Sequence, residues 1–255
     1  MNDQKKIKKV FSIGSGGDFA FSFLSAQGLE QIEEINVCDV RQMANISIDF
    51  KIGLFKNLEY EETLKLFLGQ ELFYKEQIYK KIRETITLPS RKIFDFILRN
   101  CKEDNFLKCL KNSGLWYKNS FWQIKNKTEY LPYLATKEKY LLLQKNLDKI
   151  SIYSGDFNEN LKLFKDNYFA LIYMSNILDS KKYCQEPNKY LQAAREKLNG
   201  RGLLFIITQN NSKKMVKLVE GHGFYACEKE LHKFNIISCF FGHYSYSLLL
   251  FKKNE

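Results

Sequence analysis

Residues Val10–Asp18 read V-F-S-I-G-S-G-G-D, an apolar run that stops at three glycines within four positions, Gly14, Gly16 and Gly17, with Ser15 between them and Asp18 after them. A strand, a glycine turn and a helix in that order let backbone N–H groups and a helix N-terminus approach a polar ligand closely; a plain tight turn would look the same. Three further polar groups follow apolar runs: Asp39, which stands 25 positions after Gly14, Gly155-Asp156, and Ser175-Asn176 with Asp179. An acid ending the second strand is where nucleotide-binding α/β folds hold ribose hydroxyls. A helix N-cap is a compatible role, because a helical pattern follows Asp39. The turn lacks the G-K-[ST] that would hold the phosphates of ATP. The third glycine of a dinucleotide fingerprint is replaced by Phe19. What remains is a ligand with ribose and adenine but without phosphates, Asp39 taking the ribose and Asp156 the adenine amino group.

The elements that must position these groups are those of an α/β fold. Strands are expected at Val10–Ile13, Ile32–Cys38, Ile150–Tyr153, Tyr168–Met174, Gly202–Thr208, Phe224–Glu230 and Tyr244–Phe251. Helices are expected at Asp18–Gln27, Arg41–Phe55, Leu161–Phe164, Asn188–Leu198 and Ser212–Glu220. Successive βα units predict a mostly parallel seven-stranded sheet with helices on both faces and an antiparallel last strand. Ligands of such sheets bind at the carboxyl ends of the strands, near the switch point. Gly14–Asp18, Asp39, Gly155-Asp156 and Ser175–Asp179 all fall at such ends. Between 58 and 148 the rhythm breaks into helices at Glu59–Leu68, Glu71–Thr85, Pro89–Asn100, Asn105–Lys111 and Lys137–Leu147, with an aromatic segment holding Trp116, Tyr117 and Trp122. The expected organisation is a Rossmann-like domain of residues 1–57 and 149–255, with 58–148 as a helical insertion forming a lid or acceptor pocket; the competing reading is a separate helical domain.

Composition narrows the partners. The 255 residues carry a formal net charge of +11, with only six arginines among the 40 basic residues. Specific nucleic-acid readers rely on bidentate arginine, so nucleic acid is disfavoured and a basic field suited to phosphorylated small molecules is kept. The six cysteines show no CxxC, and neither they nor His222, His232 and His243 have metal-ligand spacing. No metal is expected. The polar N-terminus lacks the apolar stretch of a signal peptide, and no apolar run is long enough for a transmembrane segment. A cytoplasmic protein is expected. Nothing in the sequence indicates an oligomeric state.

G-S-G-G at Gly14–Gly17, the acid Asp39, Gly155-Asp156 and the antiparallel last strand resemble the class I S-adenosylmethionine (SAM)-dependent transferase fold. Within it, the run from Asp39 to Gly69, with Asn45, Lys51, Leu58-Glu59-Tyr60-Glu61 and Leu66-Phe67-Leu68-Gly69, resembles the SAM-dependent 3-amino-3-carboxypropyltransferases. That family includes the enzyme opening betaine-lipid synthesis and transferases of the microcin C type. The helical insertion and Ser175-Asn176-x-x-Asp179 fit the same family. The resemblance implies SAM as co-substrate, held by Gly14, Ser15, Gly16, Gly17, Asp18, Asp39, Gly155, Asp156, Ser175 and Asn176. It implies attack of an acceptor on the γ-carbon of the methionine chain, with methylthioadenosine leaving. Tyr60 and Asp179 are the candidate general bases, their alternatives being a packed tyrosine and a helix cap. Arg91 and Tyr117 are candidates for binding an acceptor phosphate or the ligand carboxylate. Val40-Arg41-Gln42 and Ser180 depart from the betaine-lipid pattern and favour a small, nucleotide- or peptide-nucleotide-like acceptor over diacylglycerol. The alternatives are a methyltransferase of a small molecule or RNA, and a SAM- or nucleic-acid-binding module without catalysis.

Overall fold

A computed structural model of the chain describes residues 7–26, 31–67, 76–100, 131–179, 186–208, 212–227 and 247–254. They fall into two compact units: Met1–Ser15, Ala26–Val40 and Lys149–Glu255 form the first, Gly16–Ser25 and Arg41–Asp148 the second.

The first unit holds the sheet. Its strands are β1 (Lys9–Ile13), β2 (Glu34–Asp39), β3 (Ile150–Ser154), β4 (Phe169–Tyr173), β5 (Leu198–Thr208), β6 (Phe224–Ala226) and β7 (Ser247–Lys253). They lie in the order β3-β2-β1-β4-β5-β7-β6. Neighbours from β3 to β5 pair in parallel, and β7 runs antiparallel between β5 and β6. This is the mostly parallel, Rossmann-like sheet with a reversed last strand expected of the class I transferase fold. β4, F-A-L-I-Y, is nearly continuous in apolar residues because a central parallel strand is covered on both faces. Phe11 of β1 is fully buried, with Phe157, Phe169 and Phe164 at ring distances of 5.4, 5.3 and 5.8 Å. Burying one such ring contributes about 1.5–3 kcal/mol. The helices of this unit are α7 (Phe157–Leu161), α8 (Pro187–Lys197) and α9 (Ser212–Glu220).

Among the elements whose bounds differ from the sequence expectation, two have a visible cause. Helix α7 starts at Phe157 instead of Leu161, because the Asp156 carboxylate accepts from the Asn158 and Glu159 backbone N–H groups and caps it there. β5 begins at Leu198, immediately after α8, and pairs with Phe169 across a register irregularity. Gly202 lies in that stretch, where a Cβ would come within 2.8 Å of the Leu198 side chain.

The second unit is helical: α1 (Asp18–Leu24), α2 (Gln42–Asn57), α3 (Tyr60–Phe67), α4 (Glu76–Ile82), α5 (Leu88–Asn100) and α6 (Lys137–Asn146). Phe55 of α2 is fully buried and meets the rings of Phe21, Tyr133 and Phe67 at 5.1, 5.5 and 5.7 Å. Phe50 stacks on Phe94 of α5 at 4.3 Å. Asp49 accepts from the backbone N–H and hydroxyl of Thr87, at 2.8 and 2.7 Å, just ahead of α5. The expected helix Asn105–Lys111 and the Trp116, Tyr117 and Trp122 cluster lie outside the described residues. No helix among the described residues is long and apolar enough to cross a membrane.

Candidate functional site

In the first unit the order β3-β2-β1-β4 brings four strand ends onto one rim. β1 and β2 stay paired to the last residue, and the N–H of Gly14 still donates to the Cys38 carbonyl at 2.6 Å. That N–H belongs to the sheet, so any N–H contact of the turn with a ligand falls to the residues after it. Asp39 ends β2 and is only 5% exposed. Its Cα partner is Ser154, and its carbonyl accepts from the Gly155 N–H at 3.2 Å. Gly155 takes φ +118, outside the range of ordinary L-residues, to turn the chain at this point. Asp156 follows. Its Oδ1 caps α7, and its Oδ2 accepts from the Tyr190 hydroxyl at 2.5 Å. The sequence carried a sign of this cap, an acid followed three residues later by Glu159. Both oxygens therefore hold structure, whatever else Asp156 touches.

On the other side of β1, the chain leaves β4 through Met174 and Ser175. Ser175 is 7% exposed and adopts φ +49, a conformation that costs a non-glycine residue roughly 1 kcal/mol. It is held there by the Met174 N–H on the Phe205 carbonyl and the Ile207 N–H on its own, each at 2.9 Å. Asn176 is exposed. Asp179 closes the short 3-10 turn Ile177–Asp179 and accepts from the hydroxyl of Thr208, the buried last residue of β5, at 2.9 Å. The rim thus carries the carboxylates Asp39, Asp156 and Asp179. Burial first, and then the charges of Asp39 and Asp156, push the Cys38 thiol far above its ordinary value, so this cysteine is inert rather than nucleophilic.

The chain passes from the first unit into the second within the glycine turn. Gly16 and Gly17 take φ +79 and +86. A Cβ on Gly17 would lie 2.6 Å from the Phe21 ring and 3.1 Å from Ile48, so both conformation and space require glycine. Asp18 opens α1, and its Oδ1 accepts from Lys51 Nζ at 2.9 Å and from the Tyr133 hydroxyl at 2.7 Å. Lys51 also donates to the Gly16 carbonyl at 2.8 Å. Tyr133 carried no role in the sequence reading, and Lys51 entered only as part of a motif. The one sequence sign was a lysine set between Phe50 and Ile52 in the middle of α2.

The remaining candidates, in the second unit, have other duties as placed. The Tyr60 hydroxyl donates to the Leu134 carbonyl at 3.1 Å, and its ring leans on Tyr140. Burial, then the charges of Glu61 and Glu138, raise its phenol above the usual value, which works against a base near neutral pH. Arg91 donates from all three guanidinium nitrogens, to the Ile86 carbonyl, the Glu84 carboxylate and the Glu84 carbonyl, and so staples the link between α4 and α5. Tyr117 lies outside the described residues. Among those residues, no three His, Cys, Asp or Glu side chains gather as metal ligands.

Neither a family model nor a curated protein matches the sequence. Among solved structures the chain is similar to the cyclase SpnF, at 10% identity and a TM-score of 0.42, over 97% of this chain and 74% of that one. It is also similar to the spermidine synthase of Thermotoga maritima, at 12% identity and a TM-score of 0.39, over 98% of this chain. The chain spans about half (54%) of that synthase. The order of the seven strands, rather than these distant likenesses, carries the fold assignment.

Proposed function

We propose that the chain is a SAM-dependent transferase that moves the 3-amino-3-carboxypropyl group to a small, anionic or nucleotide-like acceptor. The observation that carries the SAM assignment is the rim of the parallel sheet, where Asp39, Asp156 and Asp179 stand at the carboxyl ends of β2, β3 and β4, with Ser175 at positive φ ahead of Asp179. Carboxylates along the rim favour a ligand that carries a positive charge, and the sulfonium of SAM supplies one. Asp39 is assigned the two ribose hydroxyls, Gly155-Asp156 the adenine side, and Gly14–Asp18 the methionyl end. Ser175 and Asn176 are assigned the edge facing the acceptor.

The choice of the aminocarboxypropyl group comes from the family resemblance through Gly69. An acceptor lone pair forms a bond to the γ-carbon, the bond from that carbon to sulfur breaks, and methylthioadenosine leaves with the electron pair on a neutral sulfur. The acceptor proton passes to a base, for which Asp179 is kept over Tyr60 because its carboxylate accepts while the Tyr60 hydroxyl donates. Since the sulfonium is already activated, in-line placement supplies most of the acceleration.

The test is incubation with SAM and a cell extract, followed by identification of the nucleoside formed. Methylthioadenosine supports the proposal; S-adenosylhomocysteine replaces it with a methyltransferase. Asp39→Ala is expected to weaken SAM binding by about 10- to 100-fold, the loss of hydrogen bonds from two hydroxyls to a charged acceptor. Unchanged affinity in titration calorimetry removes the ribose assignment.

A further inference from the structure

Lys51 projects from the middle of α2 with a side chain only 11% exposed, and Tyr133 is fully buried. Desolvating an amine is costly, and apolar packing of equal volume commonly matches a buried ion pair in stability. A turn that needed only to be held would not require this pair. Its geometry is directional. Both donors converge on Asp18 Oδ1, and Lys51 adds the Gly16 carbonyl, so the orientation of the carboxylate and the path of the turn are set together. The Tyr133 ring is itself fixed by Phe21 and Phe55, at 5.6 and 5.5 Å. Burial and then the Asp18 charge raise the Tyr133 phenol well above its ordinary value, so it stays a donor. Asp18 Oδ2 takes no hydrogen bond among the described residues. A carboxylate with one oxygen saturated and the other open accepts a group rich in N–H donors and rejects an anion.

We propose that Lys51 and Tyr133 are positioning residues that orient Asp18 so that its Oδ2 receives the primary ammonium at the methionyl end of SAM. This rests on the reading of the glycine turn as part of a SAM site. Lys51 and Tyr133 themselves touch no ligand. They act through the angle at which the open oxygen is presented.

The experiment compares three thioether nucleosides by titration calorimetry: S-adenosylhomocysteine, its deaminated analogue, and methylthioadenosine, which lacks the whole arm. Tyr133→Phe keeps the ring and removes only the hydroxyl. It is expected to weaken S-adenosylhomocysteine about tenfold, equivalent to about 1.4 kcal/mol, and to leave the other two ligands unchanged. Lys51→Met is expected to act in the same direction more strongly, with Lys51→Arg recovering part of the loss; if Lys51→Met does not fold, Tyr133→Phe decides. Equal weakening of S-adenosylhomocysteine and the deaminated analogue, or no change in either, overturns the positioning role and leaves the SAM assignment standing. A wild-type protein that binds neither S-adenosylhomocysteine nor methylthioadenosine overturns both.

Discussion

Replacing Gly17 by alanine tests the glycine turn most directly, because two independent penalties apply at one position. The residue sits at φ +86, in the left-handed region, where a Cβ costs about 1–2 kcal/mol. The new Cβ would also stand 2.6 and 2.9 Å from two carbons of the Phe21 ring and 3.1 Å from Ile48. The ring cannot retreat easily: Phe21 is fully buried, with Phe55 and Tyr133 against it at 5.1 and 5.6 Å. Overpacking of that kind costs about 1–3 kcal/mol. The sum is about 2–5 kcal/mol, a large share of the roughly 5–15 kcal/mol that holds a domain together. At about 2–4 °C per kcal/mol for a chain of this size, a central value of about 3 kcal/mol lowers the melting temperature by about 6–12 °C. Gly200→Ala is the control. A Cβ there meets nothing within 4 Å, so its stability should stay within about 0.5 kcal/mol of wild type. Calorimetry or circular dichroism on both variants is sufficient. If Gly17→Ala melts no lower than Gly200→Ala, the conformation of the turn and the packing argument built on it are refuted.

Two further perturbations bear on the helical unit. Hydrogen bonds from Arg83, and next from Tyr79, hold the Asp95 carboxyl down to about 2. A depressed carboxylate stabilises above its unfolded value of about 4 and loses that contribution as the pH falls from about 4 to about 2. Asp95→Asn should therefore cost about 1 kcal/mol at pH 7, discounted for solvent screening, and only a small fraction of that at pH 2, measured by denaturant titration at both. Asp49→Ala removes the acceptor for the N–H and hydroxyl of Thr87 and should cost about 1–2 kcal/mol, visible as faster amide exchange in the first turn of α5.

Much of this could be read before any coordinates. β4 declared itself by an apolar run, α9 by its period between Ser212 and Gly221, and the glycine turn by composition alone. The strand ends carrying Asp39 and Asp156 followed from the same runs. What failed to show were choices between two local roles of one residue type. Asp156 is an acid after a glycine with Glu159 three residues on, and the backbone of α7 decides for the cap. Arg91 was a cation in an insertion, and only the fold of the α4–α5 link turns it inward. Tyr133 and Asp18 are 115 residues apart, and nothing local to either predicts the pairing. β5 grew by four residues because Leu198 pairs with Phe169, a contact decided across the sheet.

Helix α2 explains why the turn from Gly16 onward belongs to the helical unit. A surface helix shows one apolar stripe, yet α2 buries Asn45, Ser47, Asp49 and Lys51 along with Ile46, Ile48 and Phe50. Residues two apart on a helix point about 200° from one another, so Asp49 and Lys51 face nearly opposite ways. One reaches Thr87 ahead of α5, the other the carbonyl of Gly16 and the carboxylate of Asp18. One turn further on, Phe55 gathers Phe21, Tyr133 and Phe67. Polar residues at alternate positions of a buried helix carry no amphipathic signature, because each serves a different neighbour. α2 is thus a post with Gly16 and Asp18 tied to one side and Thr87, ahead of α5, to the other.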